Sequence, residues 1–286
     1  MTDGVVTDGV VTDGLAVVDK PAAWTSHDVV AKCRGIFGQK RVGHAGTLDP
    51  DATGVLLVGL GRVTRLLRFL SALPKSYECE MVLGIETATL DAAGEVTAEH
   101  DMSSVSADDV RTAAGRFLGE IEQVPPMVSA VKVGGRRLHA LARQGLDVER
   151  VARRVTVSRF DLAPTGEPGV FRADVECSSG TYVRSLATDL GAALGGGAHL
   201  RNLRRRAVGS FTVADAHPLD ALEVLSPTET MRDYPHVVVD AATAVQVGHG
   251  RPVDIGRGDA CAVLDESGAL LAVYEDGRPA VVVASL

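Results

Sequence analysis

The chain has 286 residues, 45% of them apolar, with a formal net charge of −8 at pH 7. That length supports one large domain with a smaller companion. No stretch has the apolar length of a membrane span, and the four cysteines (Cys33, Cys79, Cys177, Cys261) lack the spacing of a disulfide framework or a zinc site.

The acidity is uneven. Residues 207–286 carry four Arg against twelve Asp and Glu, whereas 15–206 carry 25 basic and 22 acidic residues. The basic residues cluster at Lys32, Arg34, Lys40 and Arg41, at Lys132, Arg136 and Arg137, at Arg150, Arg153 and Arg154, and at Arg201, Arg204, Arg205 and Arg206. Such clusters can meet phosphates on an acidic protein, although any one of them also reads as a solvated surface. No signal peptide is visible at the start, so a cytoplasmic location is the expectation.

In chain order, "MTDGVVTDGVVTDG" is a short repeat rich in turn formers, read as a disordered tail over 1–14. Leu15–Asp19 reads as a strand. Thr25 and Ser26 cap a helix to about Phe37. A glycine-rich loop around Asp49 leads to a strand at Val55–Leu60 and a helix near Val63–Leu70. Ser76–Leu83 alternates as a strand, and Ser106–Leu118 looks helical. Met127–Val133 reads as a strand, followed by a short helix in "RRLHALARQG" closed by Gly145. Val155–Leu162 and Val170–Cys177 read as paired strands. A helix is expected over Tyr182–Leu194, and a basic, extended stretch over His199–Val213. Short strands follow at His236–Val239, Ala260–Leu264, Leu270–Tyr274 and Ala280–Val283. The class is mixed α+β with a largely antiparallel sheet, since helices and strands do not alternate as in a parallel fold. The domains are a tail (1–14), a catalytic domain (15–225) with an insertion at about 125–150, and a small β-rich module (226–286).

The loop "GHAGTLDPDATG" is shaped for a close approach. Pro50 keeps Asp49 out of helical geometry, and Gly43 and Gly46 permit unusual backbone angles. A carboxylate held there could be a nucleophile, a general base or a metal ligand, or simply close an Asx turn. Other oxygen ligands are not clustered nearby, and no phosphate-binding glycine loop is present. In "GTYVRSLATDLG" the glycine stands at a helix start with Arg184 one turn in, which suits an anion or a protein carboxylate, although taken alone it reads as an ordinary surface arginine. Tyr77 and Tyr182 stand beside turn formers, where tyrosines stack on bases or cap a core.

Four segments, in order, resemble the TruB family of bacterial tRNA pseudouridine synthases: "DKPAAWTSHDVV" (19–30), "RVGHAGTLDPDATGVLLVGLGRVTR" (41–65), "PPMVSAVKVGGRRLHALARQG" (125–145), and "CSSGTYVRSLATDLG" with "GAHLRNLRR" (177–205). The resemblance spans about 15–215. It implies the pseudouridine synthase catalytic fold with a PUA-like C-terminal module. It also implies a reaction, isomerisation of the T-loop uridine at tRNA position 55, without cofactor or metal. A tRNA partner is implied, with no obligatory protein partner, no membrane and a monomeric chain.

By the same resemblance Asp49 falls on the catalytic aspartate. Tyr77 falls on a tyrosine that packs on the target base and is a candidate proton acceptor. Arg184 falls on an arginine paired with the aspartate. Tyr182 and Leu203 fall on the uridine pocket, and His44 on a histidine that fills the gap left by the flipped base. Lys20 is a candidate phosphate contact. Two departures are Ala23 for the usual glycine, and Ala88 for the first aspartate of a loop that keeps Asp91. The rival readings are a guide-RNA-dependent synthase and a non-catalytic tRNA-folding chaperone.

Overall fold

The computed structural model describes residues 12–129 and 148–283, with positions 132, 133, 136–138, 144 and 146. The chain divides into two compact units that do not follow sequence order: residues up to 72 join those from 208 onward, and 73–207 form the other.

The first unit opens with β1 (Gly14–Lys20), buried at almost every position. The helix α1 (Ser26–Ile36) follows, capped by a box in which Thr25 and Asp28 each satisfy the other's backbone N–H. Two strands, β2 (Val42–Ala45) and β3 (Thr53–Leu60), flank the aspartate loop. Both β1 and β2 pair antiparallel with β3, in registers that include Lys20↔Gly54 and Ala45↔Leu57. The expected helix after β3 is a 3₁₀ turn (Gly61–Arg65) followed by α2 (Leu67–Ala72).

Thr12, Asp13 and Gly14, assigned by the sequence to a disordered tail, are ordered. Gly14 opens β1, and Asp13 accepts from the Arg62 backbone N–H at 2.5 Å while pairing with its guanidinium at 2.6 Å. Gly61 (φ 56°) sits against Asp13 with no room for a Cβ. Residues 1–11 of the predicted tail lie outside the described residues.

The second unit holds β4 (Lys75–Leu83), the hairpin β5 (Ile85–Thr87) and β6 (Val96–Glu99), and α3 (Ala107–Ala114), boxed by Ser106 and Asp109. It continues with β7 (Gly119–Gln123), the two-residue strands β8 (Lys132–Val133) and β9 (Arg136–Arg137), β10 (Arg153–Pro164), β11 (Val170–Cys177), α4 (Val183–Ala193) and β12 (Ala198–Val208). Its sheet runs β12-β4-β11-β10-β7. The β10–β11 pair foreseen from the alternating pattern is present, with Phe160 opposite Val175. The strand expected over 127–133 is reduced to β8, because Met127–Ser129 form a bend. Most of the helix expected in "RRLHALARQG" lies outside the described residues, and Arg136–Arg137 pair as a strand.

The C-terminal part, which belongs to the first unit, contains β13 (Phe211–Thr212), β14 (His236–Val238), α5 (Ala241–Gly248), β15 (Cys261–Leu264), β16 (Leu270–Glu275) and β17 (Arg278–Val282). The last four strands form one sheet in the order β14-β15-β16-β17, closed over Val247, Cys261, Val263, Leu271 and Tyr274. The mixed α+β class with a β-rich C-terminal module is thus the one the sequence implied. Among the described residues no helix is long and apolar enough to cross a membrane.

Candidate active site

In the first unit the structure converts the aspartate loop into a clamped platform. The Ser26 hydroxyl, at the start of α1, accepts from Leu48 N–H at 2.9 Å and donates to Leu48 C=O at 3.1 Å. On the other side of Asp49, the Lys20 ammonium donates to Pro50 C=O at 2.8 Å, and also to Pro21 and Trp24 carbonyls at 2.9 and 2.6 Å. Ala52 N–H closes a turn onto Asp49 C=O at 3.2 Å. Gly46 adopts φ 81°, which lets the chain bend out of β2. Both backbone neighbours of Asp49 are therefore held, and Asp49 itself stays only half-buried. His44, on β2, is half-buried and meets His27 edge-on at 5.3 Å between ring centres.

Lys20 is fully buried, with its ammonium directed at carbonyl oxygens. That placement makes it a brace of the loop. Replacing it by methionine strips a charged donor from three carbonyls. At roughly 1–3 kcal/mol for each buried group left unsatisfied, a loss of about 2–4 kcal/mol is expected. Urea unfolding of Lys20→Met measures it, and a change below about 0.5 kcal/mol would remove the brace from the account.

In the second unit, α4 presents Arg184 in its first turn, 4% exposed. Its guanidinium donates to Thr89 C=O at 3.0 Å and Val128 C=O at 2.9 Å, and lies 3.7 Å from the Asp91 carboxylate. Asp91 is set by Thr89, whose hydroxyl donates to it at 2.5 Å, and by Ala93 N–H at 3.2 Å. The Ala88 substitution leaves this arrangement in place. Tyr182 is the residue before α4, half-buried. Tyr77 lies on the buried face of β4 between Lys75 and Cys79, opposite Val175. Leu203 is half-buried on β12.

Lys75 was not singled out by sequence. It is buried, donates to Leu73 C=O at 2.6 Å, and its pKa is pushed down to about 8, first by burial, then by Arg205, with Cys177 opposing. The basic run on β12 is largely balanced inside this unit. Arg201 pairs with Glu80 and Glu167, Arg206 pairs with Glu78, and Arg205 is buried. It is therefore a weaker phosphate surface than the sequence suggested. Arg153 and Arg154 are exposed on β10.

Comparison with known proteins settles the class. Residues 34–183 match the family model described as TruB family pseudouridylate synthase (N terminal domain), and 184–242 match the tRNA pseudouridylate synthase B C-terminal domain. The chain belongs to the TruB family. A curated tRNA pseudouridine synthase B of Rhodococcus jostii (strain RHA1) is 46% identical over 280 residues, covering 93% of this chain and 91% of that one. Another, of Mycobacterium sp. (strain KMS), is 47% identical over 275 residues, covering 92% of each. Among solved structures, a Cbf5-Nop10-Gar1 complex superposes with TM-score 0.71 at 26% identity, covering 96% of this chain and 84% of that chain.

Asp49 is flanked by backbone held at Leu48 and Pro50, and Arg184 is buried with its guanidinium on two carbonyls and near Asp91. Among the described residues no group of three or more His, Cys, Asp or Glu side chains could hold a metal. The sequence marks Asp91 only as the aspartate retained in its loop, and nothing local says that it stands 3.7 Å from the Arg184 guanidinium.

Proposed function

We propose that this TruB-family enzyme isomerises the T-loop uridine at position 55 of tRNA, acting alone and without a guide RNA. The reaction breaks the N1–C1′ bond, turns the uracil, and joins C5 to C1′; the C5 proton passes to solvent and N1 ends protonated. Asp49 is the carboxylate on which this depends, as the covalent or electrostatic partner of the departing fragment. Arg184 is the arginine that the resemblance assigns to the reaction, and its guanidinium is held by Thr89, Val128 and Asp91. Tyr77 packs on the base and accepts the C5 proton, and Tyr182 and Leu203 line the uridine pocket. His44 fills the gap left in the RNA stack, which offsets part of the roughly few kcal/mol needed to extrude a base. The chain is cytoplasmic and works as a monomer.

The observation that carries this reading is the double clamp at Leu48 and Pro50, which fixes the backbone on both sides of a half-exposed aspartate in a chain of this family. The test is a T-stem-loop RNA with tritium at C5 of the target uridine, incubated with the purified chain and a chelator. Release of about one tritium per RNA is expected. Binding of the RNA without release would overturn the reading in favour of a chaperone or a partner-dependent synthase.

A further inference from the structure

We infer that Gln123 is a positioning residue that sets Arg184 by capping α4 from the neighbouring sheet; the inference rests on the reading just given for Arg184. A helix ordinarily begins at a residue whose own side chain satisfies a first-turn N–H. The residue at this place is Tyr182, and its side chain makes no such bond. Gln123, the last residue of β7, is 2% exposed. Its Oε1 accepts from Tyr182 N–H at 2.7 Å, and its Nε2 donates to Tyr182 C=O at 3.1 Å. One amide thus meets both backbone groups of the residue before the helix, as a neighbouring strand would. The same carbonyl accepts the first helical bond, from Leu186 N–H at 3.2 Å. The backbone fixes which end of the amide is which, because only the oxygen can accept and only the nitrogen can donate.

Two further bonds lie on the same path. The Ser185 hydroxyl donates to Val124 C=O at 3.3 Å, and the Arg184 guanidinium donates to Val128 C=O at 2.9 Å. Gln123 also pairs with Arg153 of β10, at the end of the β7–β10 ladder from which the insertion departs. The amide therefore stands where the base of the insertion meets the first turn of α4. Arg184 is the second residue of that helix, so a shift or fraying of its start moves the guanidinium directly. Its fork needs fixed geometry to serve several oxygens at once.

The test uses full-length Gln123→Met, close in shape but without the paired bonds, and Gln123→Glu, which keeps the acceptor but sets a carboxylate against the Tyr182 carbonyl. Single-turnover tritium release from the T-stem-loop and RNA affinity are measured for each, beside wild type. Both variants are expected to slow release at least tenfold with the dissociation constant within threefold. Each substitution is then combined with Arg184→Lys. A residue acting through Arg184 adds less than threefold to the loss already caused by Arg184→Lys, whereas a merely structural residue multiplies it by its full single-variant factor. Full multiplication, or a single-variant rate within twofold of wild type, would overturn the inference. Failure of wild type itself to release tritium would instead sink the reading of the reaction.

Discussion

Asp49→Asn is expected to abolish isomerisation while leaving a folded, RNA-binding protein. The loss in single-turnover rate should reach at least about a thousandfold, which is about 4 kcal/mol of transition-state stabilisation. Two features of the site separate chemistry from folding. Asparagine has the shape of aspartate, so Pro50 and Ala52 keep their neighbours. The loop is held at Leu48 and Pro50 by Ser26 and Lys20, through backbone atoms that the substitution does not touch. The variant should therefore bind the T-stem-loop within about tenfold of wild type, or roughly 1.4 kcal/mol. Tritium release and filter binding on the same preparation measure both. A variant that turns over within tenfold of wild type would remove Asp49 from its role.

The parts of the fold that sequence made legible are those governed by local rules. The strands β1, β4, β10 and β11 appear within two residues of their expected ends, because apolar runs or alternation mark a buried strand without help from elsewhere. The helix starts at Ser26 and Ala107 follow capping boxes written in Thr25–Asp28 and Ser106–Asp109. What escaped depends on tertiary context. The strand β2 lies inside a stretch whose glycines read as loop, yet it pairs with β3 residue for residue. The edge strand β7, "GEIEQ", has too few apolar residues to announce itself and exists because β10 pairs with it. The helix α5 was unread because its surroundings read as β-rich.

The site divides the same way. The glycines and proline around Asp49 announce a constrained carboxylate. Nothing local says that Lys20, a residue type usually found at the surface, would be buried against Pro50 thirty positions later. Nor does a glutamine at a strand end announce that it caps a helix 59 positions away. Family resemblance points to the residues, whereas the contacts of Ser26, Lys20 and Asp91 are what hold them in place.

Arg184 breaks a local rule, and the second large effect follows from that. A cation in the first turn of a helix faces the positive end of the helix dipole, which disfavours it. No acidic residue stands in the first turn of α4 to offset it. Burial to 4% exposure adds a desolvation cost of several kcal/mol for an isolated ion. A side chain kept in so unfavourable a place is stabilised by specific partners: two carbonyl oxygens and the Asp91 carboxylate. Such local conflicts in an otherwise consistent fold gather at functional sites. Lysine retains the charge but is a single point donor on a flexible stem. It cannot meet Thr89, Val128 and Asp91 together with the planar geometry of a guanidinium. Arg184→Lys is therefore expected to lower single-turnover tritium release by about a hundredfold or more, roughly 3 kcal/mol, while the urea-unfolding free energy changes by less than about 2 kcal/mol. A variant that kept a tenth of the wild-type rate would show that charge alone suffices at this position, and that the fork set by α4 and Asp91 is not what the reaction uses.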